Sequence, residues 1–189
     1  MTREPAVGDE VPHNCELIDV HVADLSHLFN AMDPSPLREK DLDPKVEEFI
    51  VSWARDSRRD AQFALRVNVD RPEGTEEIDS VRHAVHAFFA QRSLSATRRL
   101  RQLFRVGRTS LVIGIVFLSI AVILAGLVDR ALGARQVSAL VRESIVIGGW
   151  VAMWRPLEIF LYDWWPIRAE RTLFDRLSAM PVSINFRTD

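Results

Sequence analysis

The sequence predicts an α+β membrane protein, with an antiparallel two-helix transmembrane hairpin inserted in a small cytoplasmic α/β domain of about three strands. Three observations carry that expectation. Residues 109–128, TSLVIGIVFLSIAVILAGLV, hold no charge over twenty positions. At about 1.5 Å per residue that length crosses a hydrocarbon core of roughly 30 Å. A second apolar stretch, 137–156, follows after only eight residues, so the two spans must run antiparallel. Finally, alternating apolar and polar positions mark strands at 16–22, 63–69 and 182–186, on both sides of the hairpin.

In order, residues 1–14 are polar and contain Pro and Gly, which reads as a flexible tail. In 16–22, Ile18, Val20 and Val22 share one face. Leu25, Leu28 and Phe29 then take helical spacing, until the two prolines of Asp33-Pro34-Ser35-Pro36 stop it. A helix over 44–57 starts with Asp43 as cap and Pro44 at its first position. Its stripe is Val46, Phe49, Ile50 and Trp53. In 63–69, Phe63, Leu65, Val67 and Val69 face inward. A helix from Thr75 carries Ile78, Val81, Val85, Phe88 and Phe89. It either breaks near Ser93–Ser95 or runs on into the first span, as a rod of roughly 80 Å.

The domains expected are the tail, a cytoplasmic domain over 15–106, the hairpin over 107–156, and an interfacial helix and strand over 157–189. Pro156 either kinks the second span's exit or starts a new helix. Three isolated strands do not stand alone, so the last must return to join the first two. Six Arg and no acid lie between 92 and 108, and Arg155, Arg168, Arg171 and Arg176 follow the second span. The outer loop has only Arg130 and Arg135, offset by Asp129. Positive-inside reasoning places both termini in the cytoplasm. The single cysteine, Cys15, excludes an intrachain disulfide.

Several groups of residues are candidates for function. Arg98, Arg99, Arg101, Arg105 and Arg108 suit anionic lipid head groups, or serve only as the topology signal. They lack the aromatic interleaving of a nucleic-acid surface, and no nucleic-acid partner is expected. Ser110, Gly114, Ala121 and Ala125 in the first span, with Ser144, Gly148 and Ala152 in the second, suit close helix packing. That packing is within the hairpin or between copies in a homo-oligomer. Arg142, Glu143, Arg155 and Glu158 are the charges nearest lipid, structural pairs or a polar path. Trp150, Trp154, Tyr162, Trp164 and Trp165 suit an interfacial aromatic belt. Asp79, His83 and His86 fall on one helix flank and are weak metal candidates, because no known ligand motif completes them. Asp33, Pro34, Ser35 and Pro36 form either a rigid connector or a partner-recognition loop. No cofactor is expected.

The stretches HLFNAMDPSPLREKDLDPKVEEFIVSWA and WRPLEIFLYDWWPIRAERTLFDRLSAMPVSI resemble a conserved hypothetical family of uncharacterised bacterial membrane proteins with two transmembrane helices. The resemblance implies the same architecture and an inner-membrane location, and it transfers no catalytic residue. The leading expectation is a non-enzymatic, membrane-anchored interaction or self-assembling module, with a protein or homo-oligomeric partner. A subunit of an oligomeric channel or transporter is the second reading. A membrane-associated enzyme is the third, with no nucleophile–base pair to name.

Overall fold

Three parallel strands and one short antiparallel strand form the sheet. The computed structural model describes residues 7–9, 11–12, 14–58, 61–70, 75–132 and 136–186. Strand β1 is Val7–Gly8, β2 is Cys15–Val22, β3 is Gln62–Val69 and β4 is Val182–Phe186. Their order across the sheet is β1-β4-β3-β2. Strands β2, β3 and β4 are parallel, in registers that set Val20 beside Val67 and Val67 beside Ile184. Strand β1 pairs antiparallel with β4, Val7 beside Ile184. Val7 and Gly8 are therefore a strand where the sequence suggests tail. Two residues are too short to show periodicity. The return of the last strand is found as expected, and β4 lies inside the sheet, between β1 and β3.

Parallel neighbours need long crossovers. Between β2 and β3 the crossover holds two short 3-10 turns, Leu25–Leu28 and Leu37–Glu39, and helix α1, Pro44–Asp56. Asp43 caps α1 through Lys45 N–H at 2.9 Å. Between β3 and β4 the crossover holds α2, Thr75–Leu132, α3, Gln136–Glu158, and α4, Trp164–Ser178. A five-residue π-helical turn, Ile159–Asp163, joins α3 to α4.

The chain divides into two units. The first is Met1–Ser95 with Glu170–Asp189, and the second is Ala96–Ala169. The divisions thus fall inside α2 and α4, not at the 106/107 and 156/157 boundaries that hydropathy suggests. In the first unit, Ile50, Val51 and Ala54 of α1, Val81, Val85 and Phe89 of α2, and Leu173, Phe174 and Leu177 of α4 share one core with the sheet. The sheet contributes Ile18, Val20, Leu65, Val67, Val182 and Ile184 to it. Its other face carries Asp19, Arg66, Asn68 and Asn185, together with the buried Ala64 and Ser183.

Helix α2 does not break near Ser93–Ser95. Serine is a poor helix residue because its hydroxyl competes for backbone groups. Here the buried Ser93 hydroxyl donates instead to the Asp175 carboxylate of α4. Pro156 does not end the second helix either. It lies inside α3, and the wider turn at Ile159–Asp163 follows it. The missing N–H of Pro156 removes the α-helical partner of the Ala152 carbonyl.

In the second unit α2 and α3 pack antiparallel. Gly107 meets Ile159, Gly114 meets Ala152 and Met153, and Gly149 meets Leu118 and Ala121. Among the buried and half-buried positions of α2 are Gly107, Leu111, Gly114, Leu118, Ala121, Ala125 and Val128. That alternation of three- and four-residue steps is a heptad seam, with small residues wherever the backbones come close.

Candidate functional site

A polar cleft of about 480 Å³ opens in the first unit, lined by Asp9, Arg38, Asp79, Arg82, His83 and His86. Helix α2 supplies four of these residues, and its steps of three and four set them on one flank. Asp9 follows β1. Its N–H donates to Val182 O at 3.1 Å, and its Oδ2 accepts from Val182 N at 3.3 Å. That fixes Asp9 beside α2 at the start of β4. Arg82 then spans two carboxylates, Asp9 Oδ1 at 2.8 Å and Asp79 Oδ1 at 3.0 Å. His86 Nε2 lies 2.9 Å from Met180 O, so that nitrogen carries the proton and donates.

These bonds engage two of the three weak metal candidates. Asp79 is spent on Arg82, and His86 on a backbone carbonyl. No group of three His, Cys, Asp or Glu among the described residues is placed to hold a metal ion. The same residues nevertheless line one cleft. Sequence reasoning missed Asp9, Arg38 and Arg82. The Asp79–Arg82 spacing of three was a readable signal, whereas Asp9 and Arg38 arrive only through tertiary structure.

Arg38 reaches the cleft from the loop 30–43, which is ordered by its own hydrogen bonds. Phe29 and Leu42 form an isolated bridge, and Asn30 N donates to Asp41 O at 2.8 Å. Asp33 staples the interior: Oδ1 accepts from Ser35 N at 2.9 Å and Oδ2 from Asp41 N at 2.8 Å. These donors, led by the Asp41 N–H, hold the Asp33 carboxyl below its usual pKa. Asp33 is therefore structural. The loop presents its surroundings instead, with Pro34 and Pro36 exposed and Met32 at 91% exposure.

No family model, curated protein or solved structure matches this chain.

The second unit holds the remaining candidates. Two helical stretches, Ile78–Val128 within α2 and Ala139–Ser178 running from α3 through α4, are long and apolar enough to cross a membrane by length and composition. Of the expected packing residues, Gly114, Ala121 and Ala125 are buried and Ser110 is half-buried. Ala152 meets Gly114, where an added Cβ would sit 3.2 Å from the Ala152 carbonyl oxygen. That is the carbonyl left over by Pro156, and the glycine lets α2 approach it. Ser144 and Gly148 do not pack within the hairpin: both are exposed, and nothing lies within 4 Å of a Cβ built at Gly148. Gly149 packs in their place. Counting back from the tight Gly114–Ala152 crossing selects Gly149, one residue off the four-residue ladder.

Arg98, Arg99, Arg101, Arg105 and Arg108 are all exposed. Arg92, the first of the six, instead pairs with Glu47 and stacks on Phe88. Arg155 pairs with Glu158 at 2.9 Å and reaches Asp163 at 3.5 Å. Arg142 and Glu143 are exposed neighbours on α3. Tyr162 lies in the π turn, and just beyond it Trp164 and Trp165 pack together, with Arg168 over the Trp164 ring at 5.6 Å. Trp150 does not join them. Its neighbour Gly149 contacts Leu118 and Ala121, near the middle of the 109–128 stretch, so Trp150 stands well along the span. Trp154 lies between, one turn beyond it.

Proposed function

We propose that the protein is an integral membrane protein whose helices α2 and α3 cross a bacterial inner membrane as a hairpin. The first unit is its cytoplasmic interaction module. One observation carries the reading. The outward faces of the two helices are apolar, with Val112, Ile113, Ile123, Leu140, Ile147 and Val151 all more than half exposed, while small residues fill the face between them. A helix pair built for water shows the reverse, and an apolar patch this extended signals lipid or a partner. The exposed Arg side chains at 98–108 and the aromatic cluster at 162–165 then suit the head-group region of the cytoplasmic leaflet, with anionic lipids as their counter-charge.

The ordered loop 30–43 and the polar cleft are what the first unit offers a partner. Exposed Met32 suits a protein contact, because a flexible thioether adapts to varied surfaces.

The test is an alkaline carbonate wash of membranes from cells making the full chain, together with a periplasm-active reporter inserted at Ala134. Retention in the pellet with an active reporter is the expected result. Release into the wash defeats the membrane reading, and a reporter active only in the cytoplasm reverses the topology.

A further inference from the structure

We propose that the cleft lined by Asp9, Arg38, Asp79, Arg82, His83 and His86 is a binding site for a small ligand bearing an oxyanion, a phosphate or carboxylate group, gripped by Arg38 and His83. The inference goes beyond membrane anchoring and does not depend on it.

The reasoning is a census of hydrogen-bonding capacity. Both oxygens of Asp9 are engaged, one by Arg82 and one by the Val182 N–H. Asp79 Oδ1 is engaged by Arg82, which leaves Oδ2 as the one carboxylate acceptor still open among the lining residues. The Arg82 guanidinium is thereby fixed as a wall, its charge answered on two sides. His86 has committed Nε2 to Met180 O. Arg38 and His83 are different. Both are exposed, and among the described residues neither side chain makes a hydrogen bond or an ion pair. Arg38 alone brings five N–H donors in a planar fork that matches an oxyanion. What the cleft still has to give is therefore mostly donors, and a ligand that complements it must be rich in acceptors. The lining is made almost wholly of charged and imidazole side chains, which disfavours an apolar ligand. A volume of about 480 Å³ suits a small molecule or a single head group, not a peptide helix.

Arg38 is held in place for this role. It lies in the turn Leu37–Glu39, and Glu39 N donates to Pro36 O at 2.9 Å. That turn belongs to the loop stapled by Asp33, so the guanidinium is carried by ordered backbone. A preorganised donor loses less entropy on binding than one on a floppy loop.

The oxyanion could be dissolved or could be the phosphate of a lipid head group, and the experiment separates the two. The full chain is reconstituted in nanodiscs of phosphatidylcholine and titrated with inorganic phosphate by calorimetry. Imidazole resonances are followed by NMR in parallel. Saturable binding that shifts the His83 resonance is expected. Arg38→Ala should weaken it by about tenfold or more, as loss of a charge-assisted contact does. His83→Gln should weaken it less, and Arg55→Ala on the exposed side of α1 should leave it unchanged. Repeating the titration in discs containing phosphatidylglycerol assigns the source. Undiminished phosphate binding points to a soluble ligand, and binding abolished by the anionic lipid points to a head group. Absence of saturable binding by the unmodified chain up to roughly 50 mM phosphate overturns the proposal. So does an Arg38→Ala variant that keeps its far-UV spectrum and binds like the unmodified chain.

Discussion

A methyl group added at Gly149 would lie 2.8 Å from Leu118 Cδ1 and 3.0 Å from Ala121 Cβ, while one added at Gly148 meets nothing within 4 Å. The leucine end can swing aside, but the Ala121 Cβ is fixed to its backbone. Gly149→Ala therefore has to push α2 and α3 apart, at a cost of about 1–3 kcal/mol. Gly148→Ala removes a poor helix former from an open position and should be neutral or stabilising by up to about 1 kcal/mol. Unfolding of the two variants in mixed micelles, followed by circular dichroism, should separate them by sign. Asp33 permits a second prediction at this scale. Its pKa is depressed in the folded chain, so the native loop binds fewer protons than the unfolded one. The loop's stabilisation is present at neutral pH, above the ordinary carboxylate value of 3.8, and is lost as pH falls through the lower folded value. Hydrogen-exchange protection of the Ser35 and Asp41 amides should disappear in that acid window. In Asp33→Ala it should already be gone at neutral pH.

Among the elements, β4 matters most to the first unit. Ile184 and Val182 are buried, and β4 is the strand through which β1 and β3 are joined. Ile184→Ala should cost about 2–5 kcal/mol in urea unfolding of the full chain. Deleting Pro181–Asp189 should abolish that cooperative transition altogether, because β3 would lose a parallel neighbour and the core one wall. The strands were legible in the sequence because one face is apolar and the other polar, which gives a period of two. Their parallel direction was not, since alternation is the same for either direction. The α1 cap was legible in Asp43-Pro44. The continuity of α2 was not, because it rests on Ser93 meeting Asp175, 82 positions away in the chain. The helix pairing in the second unit was half legible. The small residues of α2 were found, while on α3 a regular four-residue ladder pointed to Ser144 and Gly148, one position away from the packed Gly149. The cleft divided the same way: its α2 flank lay in one segment, but Asp9 and Arg38 had to be brought to it by the sheet and the stapled loop.

At the scale of the molecule, the first unit is assembled from two stretches of chain with the whole second unit between them. Mass measurement of the particle in nanodiscs should give a monomer or dimer if the hairpin is an anchor. A ring of about five or more copies would favour a conduit lined by Arg142 and Glu143. The interrupted sheet also dictates an order of events during synthesis. A ribosome delivers β2, α1 and β3 first, then both apolar helices, and only afterwards β4. Until then β3 has an unsatisfied edge and the core lacks α4, so the earliest part of the domain to emerge waits on a later one. Such a nascent chain is sticky. That exposure lasts as long as translation of about a hundred residues takes, roughly 5–20 seconds at about 5–20 residues per second. Ribosome-bound chains stalled before Pro181 should therefore be cut readily by protease within residues 15–95, and chains released after Phe186 should resist.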